Sequence, residues 1–343
     1  MAQKPTNLFI TGAAGYVGGM LADQFSKRDD VGVVVCLDKE AKPDLLSNNS
    51  KIIWIRDNTS CETWQDAVAN YEPSVVIHAA WQIREMYGRR ALQWQWNVGG
   101  AQKVFDFAFS HSFVGRLIHF SSASCYGALA SNTLERWFGE NEDLREDEYL
   151  YGVEKIAAEK ALEKTFRAAK KEGRETPQVT VVRPAAITGP RGRFMFARFG
   201  LQSVLRKGLP IIPVANTIWC RQFIHEDDVS DIVSMLTFGE AHHAYEVFNI
   251  TPNTTVLAHD MADIMHKRTF RITPWMVRLA FFWLWHGSRG RIPTSRGGWK
   301  FYSYPIVMDG SKITTMLGYR YQFESRPALE KIEGRYKKYA PLF

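Results

Sequence analysis

Residues 11–18 read Thr-Gly-Ala-Ala-Gly-Tyr-Val-Gly and follow directly on a short apolar run, Leu8–Thr11. The three glycines have the spacing G-x-x-G-x-x-G where a buried strand ends and a helical pattern begins. Glycine is needed at three places in such a turn: where the chain turns sharply, where a pyrophosphate approaches the backbone, and where the helix packs closely on the strand. The helix N-terminus also favours the phosphate charge. The stretch therefore predicts the first β–α unit of a dinucleotide-binding sheet, although glycines alone would equally suit an ordinary strand–helix turn.

An acidic residue, Asp38, ends the next apolar run, Val31–Asp38. A carboxylate about 20 residues beyond the glycines accepts hydrogen bonds from a ribose hydroxyl and repels a 2′-phosphate. The position favours NAD over NADP, but Lys39 beside it would tolerate a phosphate, and such an Asp can also be a simple helix cap. Asp57 ends the third strand, where an acidic residue could meet the adenine amino group.

Short β-branched runs alternate with helical patterns through the first half of the chain. Continuous apolar strands separated by helices are typical of a parallel sheet covered on both faces, and right-handed crossovers make it doubly wound. We predict an α/β fold with a Rossmann-type sheet and a smaller C-terminal substrate-binding lobe. The further strands are expected at Lys51–Asp57, Ser74–Ala80, Arg116–Ser122 and Val179–Pro184, with a long helix from about Tyr151 to Ala169.

The pattern changes after Pro190, where Gly, Pro, Arg and aromatic residues accumulate. A chain of 343 residues suits one large domain plus a lobe. Ligands of open α/β sheets bind at the carboxyl ends of the strands, so we expect the lobe to cover that edge. The predicted parts are an NAD-binding domain over residues 1–190, to which residues 221–250 return, and a lobe formed by residues 191–220 and 251–343.

Composition excludes several other classes of protein. The 43 Lys and Arg against 36 Asp and Glu give a charge of +7, but no basic run indicates a nucleic-acid partner. The four cysteines form no CxxC pair and have no His at metal-ligand spacing, so neither disulfides nor a metal site are expected. No signal peptide is recognisable, and Pro274–Trp285 is too short to span a membrane. We therefore expect a cytoplasmic protein without a transmembrane segment.

Tyr151 and Lys155 stand four residues apart on the predicted long helix and therefore share one face. A free phenol, with a pKa near about 10, is a poor base at neutral pH. A neighbouring ammonium and a positive nicotinamide both favour phenolate. Lowering the phenol pKa by about 3 units takes roughly 4 kcal/mol, which two cations in a partly dry site could supply. The spacing alone is common by chance on helix surfaces.

Five motifs in order, extending from Thr11 to Val229, decide how that pair is interpreted. They are TGAAGYVGG, VVIHAAW, SSASCYG, YGVEKIAAEKAL and RQFIHEDDV. This set resembles the extended short-chain dehydrogenase/reductase family, also called the NAD-dependent epimerase/dehydratase family. The resemblance implies that Tyr151 moves a proton, that Ser122 hydrogen-bonds the substrate oxygen, and that Lys155 also holds the nicotinamide ribose. Ser124 stays open as the working hydroxyl, and Ser121 is expected only to cap the strand end.

The resemblance also implies a set of cofactor contacts. Asn97 matches an Asn at the start of a helix, where it could equally be an ordinary cap. Arg183 and Pro184 would lie near the nicotinamide carboxamide. The implied cofactor residues are Gly12, Ala14, Gly15, Tyr16, Val17, Gly18, Asp38, Asp57, His78, Ala79, Ala80, Asn97, Tyr151, Lys155 and Pro184.

Departures from the family pattern bear on the substrate. Ala123 and Ser124 follow Ser122, where family dehydratases acting on nucleotide sugars have Asp-Glu, so a 4,6-dehydratase is not expected. Ala186 stands where nucleotide-sugar members tend to have Asn, and it cannot hydrogen-bond a diphosphate-linked ligand. Arg221 nevertheless stands where such enzymes have a phosphate-binding Arg. Ala186 therefore disfavours a nucleotide-sugar substrate, whereas Arg221 favours one.

The C-terminal region is rich in aromatic side chains. An apolar wall favours a hydrophobic or ring-containing substrate, but such residues also pack a lobe, dock a second subunit or touch a membrane surface, so peripheral membrane contact stays open. The residues are Trp275, Phe281, Phe282, Trp283, Trp285, Trp299, Phe301, Tyr302 and Tyr304.

We predict a homodimeric NAD-dependent oxidoreductase that interconverts a secondary alcohol and a ketone on a small, apolar or ring-containing substrate. The alternative is a nucleotide-sugar epimerase with tightly bound NAD. A dinucleotide-binding sensor without turnover ranks third, because sensors of this fold often lose the Tyr or the Lys. An epimerase returns the hydride to its substrate, so accumulation of NADH distinguishes the first two.

The first testable prediction concerns Asp38. NAD should bind much more tightly than NADP, because the carboxylate repels a 2′-phosphate. Titrating both dinucleotides against intrinsic tryptophan fluorescence measures the two affinities. Equal affinities would contradict the role assigned to Asp38.

Overall fold

A seven-stranded parallel sheet forms the centre of the molecule, in the order β11-β6-β5-β4-β1-β2-β3. The structure is a computed structural model that describes residues 5–192, 211–240, 243–331 and 333–339. Its sheet confirms the predicted Rossmann-type α/β fold. The strands are β1 (Thr6–Thr11), β2 (Val31–Asp38), β3 (Ile52–Arg56), β4 (Val75–His78), β5 (Arg116–Phe120), β6 (Gln178–Pro184) and β11 (Tyr245–Ile250).

Helices cover both faces of this sheet because alternate strand residues are apolar on both sides. Leu8 and Ile10 of β1 pack into a core with Leu21 and Phe25 of the first helix. Phe9, between them, belongs to the core on the opposite face. The helices along the sheet are α1 (Tyr16–Ser26), α2 (Gln65–Ala69), α3 (Arg90–Trp94), α4 (Gly100–Ser110), α5 (Leu150–Lys171) and α6 (Glu226–Phe238).

The remaining described elements are short. The pairs β7–β10, β9–β12 and β8–β13 form small two-stranded sheets. The predicted boundaries between domain and lobe stay predictions, and residues 193–210 of the predicted lobe lie outside the described residues. These elements are β7 (Ala186–Thr188), β8 (Ile211–Val214), β9 (Cys220–Arg221), β10 (Phe223–His225), β12 (Val256–Leu257), α7 (Ala258–Ile264), β13 (Arg268–Arg271), α8 (Pro274–Gly287), α9 (Gly298–Phe301), α10 (Ser311–Leu317) and α11 (Ser325–Glu330).

The segment around α9 is fastened to the turn that precedes α5. Gly297 has a φ of +79°, and a Cβ there would overlap the backbone of Tyr149, so only glycine allows this approach. Lys300 forms ion pairs with Asp147 at 3.1 Å and with Glu148 at 3.0 Å. The C-terminal region therefore meets the predicted catalytic helix at its first turn.

Asn97 does not lie at the start of a helix, so that prediction is wrong. Helix α3 begins at Arg90 and runs through a π-helical turn, Gln95–Gly99, into α4. The π turn accommodates an extra residue without ending the helix. Asn97 lies inside this turn, where its side chain is free to bond neighbouring segments instead of capping its own helix.

The structure also bears on the negative expectations of the sequence. Of the helices described, none combines the length and apolarity needed to cross a bilayer. Within the same residues, no three His, Cys, Asp or Glu side chains gather as metal ligands. Cys36, Cys61, Cys125 and Cys220 are free thiols.

A buried ion pair joins α5 to the sheet. Glu159 of α5 and Arg183 of β6 meet at 2.6 Å, with only 6% and 5% of their side chains exposed. Arg183 also donates to the Tyr126 hydroxyl at 2.8 Å, and Ser121 donates to Glu159. Ser121 therefore does more than cap its strand, and the guanidinium expected near the nicotinamide is held by Glu159. These contacts fix the depth of α5 against the strand ends.

We predict that Glu159→Gln lowers the free energy of unfolding by about 3–5 kcal/mol, because it leaves the Arg183 cation buried without a counter-charge. Glu163→Gln, on the same helix, is the matched control. Its pair with Arg167 is 45% and 75% exposed, so about 1 kcal/mol or less should be lost. Urea unfolding followed by circular dichroism measures both. Equal losses would contradict the role given to the buried pair.

Candidate active site

The glycine turn between β1 and α1 brings two backbone segments together. Gly12 has a φ of +73°, and a Cβ there would lie 2.6 Å from the Cα of Ala80. A Cβ on Gly18 would overlap the carbonyl of Gly12, so that position too must be glycine for α1 to pack on the turn. Because neither position has a side chain, the backbone of the turn can pack closely against its neighbours. This cradle suits a pyrophosphate at the N-terminus of α1.

Asp38 and Asp57 end β2 and β3 beside this turn. One carboxylate oxygen of Asp38 accepts from the N–H of Ala14 at 3.0 Å, and the other accepts from the N–H of Glu40 at 3.0 Å. Asp57 accepts from the N–H of Asn58 at 2.7 Å and from the Thr63 hydroxyl. Asp38 therefore shapes the glycine turn itself. These residues fit an NAD cofactor.

The end of β4 supports the same edge of the sheet. His78 is buried, with its Nδ1 2.7 Å from the Thr11 hydroxyl, and that hydroxyl accepts from the N–H of Ala80 at 3.2 Å. Burial and the nearby Lys155 cation lower the pKa of His78 to about 3, so the ring is neutral. Ala79 and Ala80 stay partly exposed. The alanines, and not the imidazole, present a surface on which a dinucleotide could lie.

Tyr16, Val17 and Pro184 occupy different surroundings. Tyr16 donates its hydroxyl to Glu226 at the start of α6, and Arg191 donates to the Tyr16 carbonyl at 3.4 Å. Val17 packs against the core between α1 and the sheet. Pro184 ends β6, opposite Ile250 in β11. The Tyr16 side chain thus ties α1 to α6, and its backbone is the part that faces the glycine turn.

Tyr151, Lys155 and Ser122 come together where α5 crosses the end of β5. Ser122 hydrogen-bonds the Tyr151 phenol. Ser124 donates to the Ser122 hydroxyl through its own hydroxyl at 3.0 Å and through its N–H at 3.2 Å. Ser122 is thus the hydroxyl that contacts Tyr151, and Ser124 lies behind it. This geometry favours Ser122 over Ser124 as the group that would bind the substrate oxygen.

Lys155 is held from two sides in the described structure. Its ammonium donates to the carbonyl of Phe120 at 2.5 Å and lies 3.5 Å from the centre of the Trp81 ring. The distance from its nitrogen to the centre of the Tyr151 ring is 6.0 Å. A cation on the face of a tryptophan is electrostatically stabilised. These contacts position the ammonium beside the phenol.

Burial shifts both titratable groups towards their neutral forms. It raises the pKa of Tyr151 to about 12, against the lowering effect of the Ser122 hydrogen bond. It lowers the pKa of Lys155 to about 7. The expected lowering of the phenol pKa is therefore not produced by the protein side chains. The desolvation of the phenol outweighs the lowering effect of Ser122, and the Lys155 ammonium is itself poorly solvated.

A polar network beneath Tyr151 was not predicted. Asn97 donates to Glu154 at 2.6 Å and to the carbonyl of Gln82 at 3.0 Å, and it accepts from the N–H of Gln82 at 2.7 Å. Gln93 donates to the same Glu154 oxygen at 3.2 Å. Burial raises the pKa of Glu154 to about 7. The Gln–Asn spacing of four residues was a signal that both face one side of a helix, but their carboxylate partner lies far along the chain.

Arg221 lies at the other side of the site, in an aromatic setting. Its guanidinium stands 5.6 Å from the centre of the Trp219 ring and 5.8 Å from that of Phe301. One nitrogen donates to the Phe301 carbonyl at 2.7 Å, while its buried Nε has no partner within the described structure. Tyr149 and Tyr302 are close enough to raise the pKa of Arg221, although burial lowers it more. No carboxylate among the described residues forms an ion pair with it.

The aromatic residues of the C-terminal region divide into two groups. Trp275, Phe282 and Trp283 are exposed on α8, so they do not form the apolar wall of a substrate pocket. Phe301 and Tyr302 are the ones that reach the site. The ring of Phe301 packs at a tilt against that of Tyr149, 4.8 Å between centres, and the Tyr149 ring centre is 6.0 Å from that of Tyr151. The sequence could not separate these groups, because all of them are aromatic.

Comparison with known proteins agrees with this geometry. A model of the NAD dependent epimerase/dehydratase family matches residues 8–251. The structure resembles UDP-glucose 4-epimerase from Thermotoga maritima, solved with UDP-glucose, at 18% identity and a TM-score of 0.70, covering 95% of this chain and 96% of that one. It also resembles WbmG from Bordetella bronchiseptica, solved with NAD, at 20% identity and a TM-score of 0.71, covering 99% and 96%.

A third similar structure is UDP-glucuronic acid 4-epimerase from Bacillus cereus, solved with UDP-glucuronic acid and NAD. The identity is 19% and the TM-score 0.68, with 95% of this chain and 97% of that chain covered. At such identities the likeness shows a shared fold. No curated protein matches the sequence significantly.

We predict that Tyr151→Phe abolishes turnover and leaves NAD binding nearly intact, because only the path of the proton is lost. Ser122→Ala should cost about 10²–10³ in kcat, the loss typical of one positioned hydrogen bond to developing charge. Ser124→Ala is the matched control and should cost far less. Steady-state kinetics and tryptophan-fluorescence titration with NAD measure these effects. Substantial activity in Tyr151→Phe would refute the mechanism. A larger loss of kcat in Ser124→Ala than in Ser122→Ala would assign the working hydroxyl to Ser124.

Proposed function

Because this chain belongs to the NAD-dependent epimerase/dehydratase family, we propose that it is a sugar epimerase whose substrate carries a nucleoside diphosphate. The observation that carries this proposal is the Arg221 guanidinium, which lies among aromatic rings with an unsatisfied Nε and no carboxylate among the described residues. The chain is an enzyme of this family, which sets aside the sensor interpretation.

The surroundings of Arg221 favour an anionic ligand. Burial lowers the pKa of the guanidinium, which means that the cation is poorly solvated where it stands. A poorly solvated cation without a counter-charge costs free energy, and an anion that enters its reach removes that cost. A diphosphate matches the planar donors of a guanidinium. Trp219 and Phe301 would offer apolar contact to the rest of the ligand.

The proton chemistry is assigned to the Tyr151 phenol. NAD, when bound, supplies the acceptor and then the donor of the hydride. Tyr151, in its phenolate form, takes the hydroxyl proton of the sugar as the C–H bond breaks and a ketone forms, while Ser122 donates a hydrogen bond to the same oxygen. In the return step the phenol gives the proton back, and the carbon regains hydrogen on its opposite face. The net reaction inverts one carbinol centre and consumes no cofactor.

Other features support this proposal over a dehydratase. Ala123 and Ser124 follow Ser122, so the site lacks the Asp-Glu pair that the family uses to remove water. The similar solved structures include two UDP-sugar 4-epimerases, each with its UDP-sugar bound. The proposed substrate class therefore agrees with both the residues at the site and the comparisons.

A net alcohol dehydrogenase is the second candidate. Ala186, in β7, offers no side-chain hydrogen bond where nucleotide-sugar members tend to have Asn, and its N–H is taken by the carbonyl of Gln222 at 3.2 Å. Aromatic rings surround Arg221 on the substrate side. These features would suit an apolar alcohol, whose oxidation would release NADH. The predicted homodimer and cytoplasmic location stay predictions.

We predict that, with NAD present, UDP-sugars raise the melting temperature of the enzyme and that no NADH accumulates. A ligand at about a hundredfold excess over its Kd stabilises by about 2.7 kcal/mol, which a thermal-shift assay detects. Arg221→Met should weaken UDP-sugar binding by roughly 30-fold or more, because a desolvated charge pair is lost. The screen should also contain sterols and simple hydroxy acids.

Arg320→Met is the control, because Arg320 is exposed on the surface, and UDP-sugar binding should be unchanged. If UDP-sugars leave the melting temperature unchanged while an apolar alcohol raises it and produces NADH, the epimerase proposal fails and the dehydrogenase takes its place.

A further inference from the structure

Helix α8 presents most of its surface to solvent although most of its residues are apolar. Only Val277, Phe281 and Trp285, one residue per turn, are buried against the rest of the described protein. The exposed fractions of the remaining large apolar residues are high. They are 64% for Trp275, 41% for Met276, 47% for Leu279, 53% for Phe282, 65% for Trp283 and 37% for Leu284. Apolar surface concentrated in this way marks a site of interaction with another molecule.

The sequence around α8 is basic throughout. Residues 264–308 contain eight Lys and Arg and no Asp or Glu, whereas the rest of the chain has 35 basic and 36 acidic residues. The whole positive excess of the protein is therefore carried by this one segment, which we name the basic segment. The positive charge of the protein is therefore concentrated in one part of the sequence.

Four of the eight basic residues flank the two ends of the apolar helix. Arg268 and Arg271 lie on β13, directly before α8, and Arg289 and Arg291 follow its last turn. All four are exposed. In the described part of the chain, none of them forms an ion pair with a carboxylate. Their charges are therefore available to a partner.

We propose that α8 and its flanking arginines dock on an anionic lipid bilayer, with the helix lying in the plane of the interface. Tryptophan, phenylalanine and leucine enter the boundary between headgroups and acyl chains, and flanking arginines bind lipid phosphates. Anionic headgroups supply the negative charge that the basic segment itself lacks. At 14 residues, α8 is about 21 Å long, too short to cross a hydrocarbon core of about 30 Å.

A second copy of this chain fits the surface less well. In a two-fold dimer the same patch faces itself, so each basic segment would meet another basic segment. With no acidic residue in either, the contact would place like charges together. The charge of the segment thus favours a lipid surface over self-association.

Docking through α8 would bring the substrate side of the enzyme to the membrane. The inward face of the helix contacts the site, because the ring centres of Phe281 and Tyr302 are 5.2 Å apart. Tyr302 in turn is close enough to Arg221 to raise its pKa. Docking of α8 on a membrane does not depend on which substrate the enzyme uses.

The test is flotation of the full chain with vesicles of phosphatidylcholine, with and without phosphatidylserine as a minority lipid. We expect binding to the vesicles that contain phosphatidylserine, and weaker binding to pure phosphatidylcholine or at high salt. Replacing Trp275 and Trp283 by Ser should lower the partition coefficient about tenfold or more. Met235→Ser, an exposed apolar residue on α6, is the control and should bind like the unmodified protein.

The charges are tested separately. Arg268→Glu with Arg271→Glu should lower binding to phosphatidylserine vesicles about tenfold or more, since each basic residue contributes about fivefold. Lys164→Glu with Lys171→Glu makes the same charge change on exposed positions of α5 and should have a much smaller effect. Retained NAD binding shows that a variant is folded. If the tryptophan variant does not fold, Phe282→Ser replaces it.

Three results would overturn the proposal. The first is that the unmodified protein does not float with phosphatidylserine vesicles. The second is that the α8 and arginine variants float as well as it does. The third is that the protein sediments as a dimer which the α8 variant alone converts to a monomer, because that outcome assigns the surface to a second copy of the chain.

Discussion

The carboxylate of Glu159 holds three parts of the molecule together below the active site. It belongs to α5, forms a buried ion pair with Arg183 of β6, and accepts from Ser121 at the end of β5. Ser122 is the next residue after Ser121, and Lys155 lies one helical turn before Glu159. The position of the serine, the tyrosine and the lysine relative to one another therefore depends on this carboxylate, and a shift of α5 along the sheet would separate them.

Desolvation then governs the electrostatics of the same site. Burial raises the pKa of Tyr151 and lowers that of Lys155, so the protein disfavours the charged form of each. Arg221, across the site, is a cation without an ion-pair partner among the described residues. A site of this kind suits the phosphate-bearing substrate proposed above, because an anionic ligand would supply the missing counter-charge.

The C-terminal region combines two different surfaces in one short segment. Phe301 and Tyr302 approach Tyr149 and Arg221, and Lys300 fastens them to the turn before α5. Helix α8 covers them from outside, and its Trp275 and Trp283 face away from the protein. One side of the segment therefore lies beside Tyr149 and Arg221, while the other is an apolar and basic surface.

The sequence by itself determined the sheet, the glycine turn and the facing pair Tyr151–Lys155, because strand period, glycine spacing and helix period are local properties of a chain. It also predicted the Asp38 position, which depends on a single strand. The tertiary structure alone decided that Asn97 joins Glu154 inside a continuous helix, that Ser122 rather than Ser124 contacts the phenol, and that Trp275 and Trp283 face outward. Each of these depends on contacts between residues distant in sequence, and an apolar or polar side chain has the same identity in sequence whichever way packing turns it.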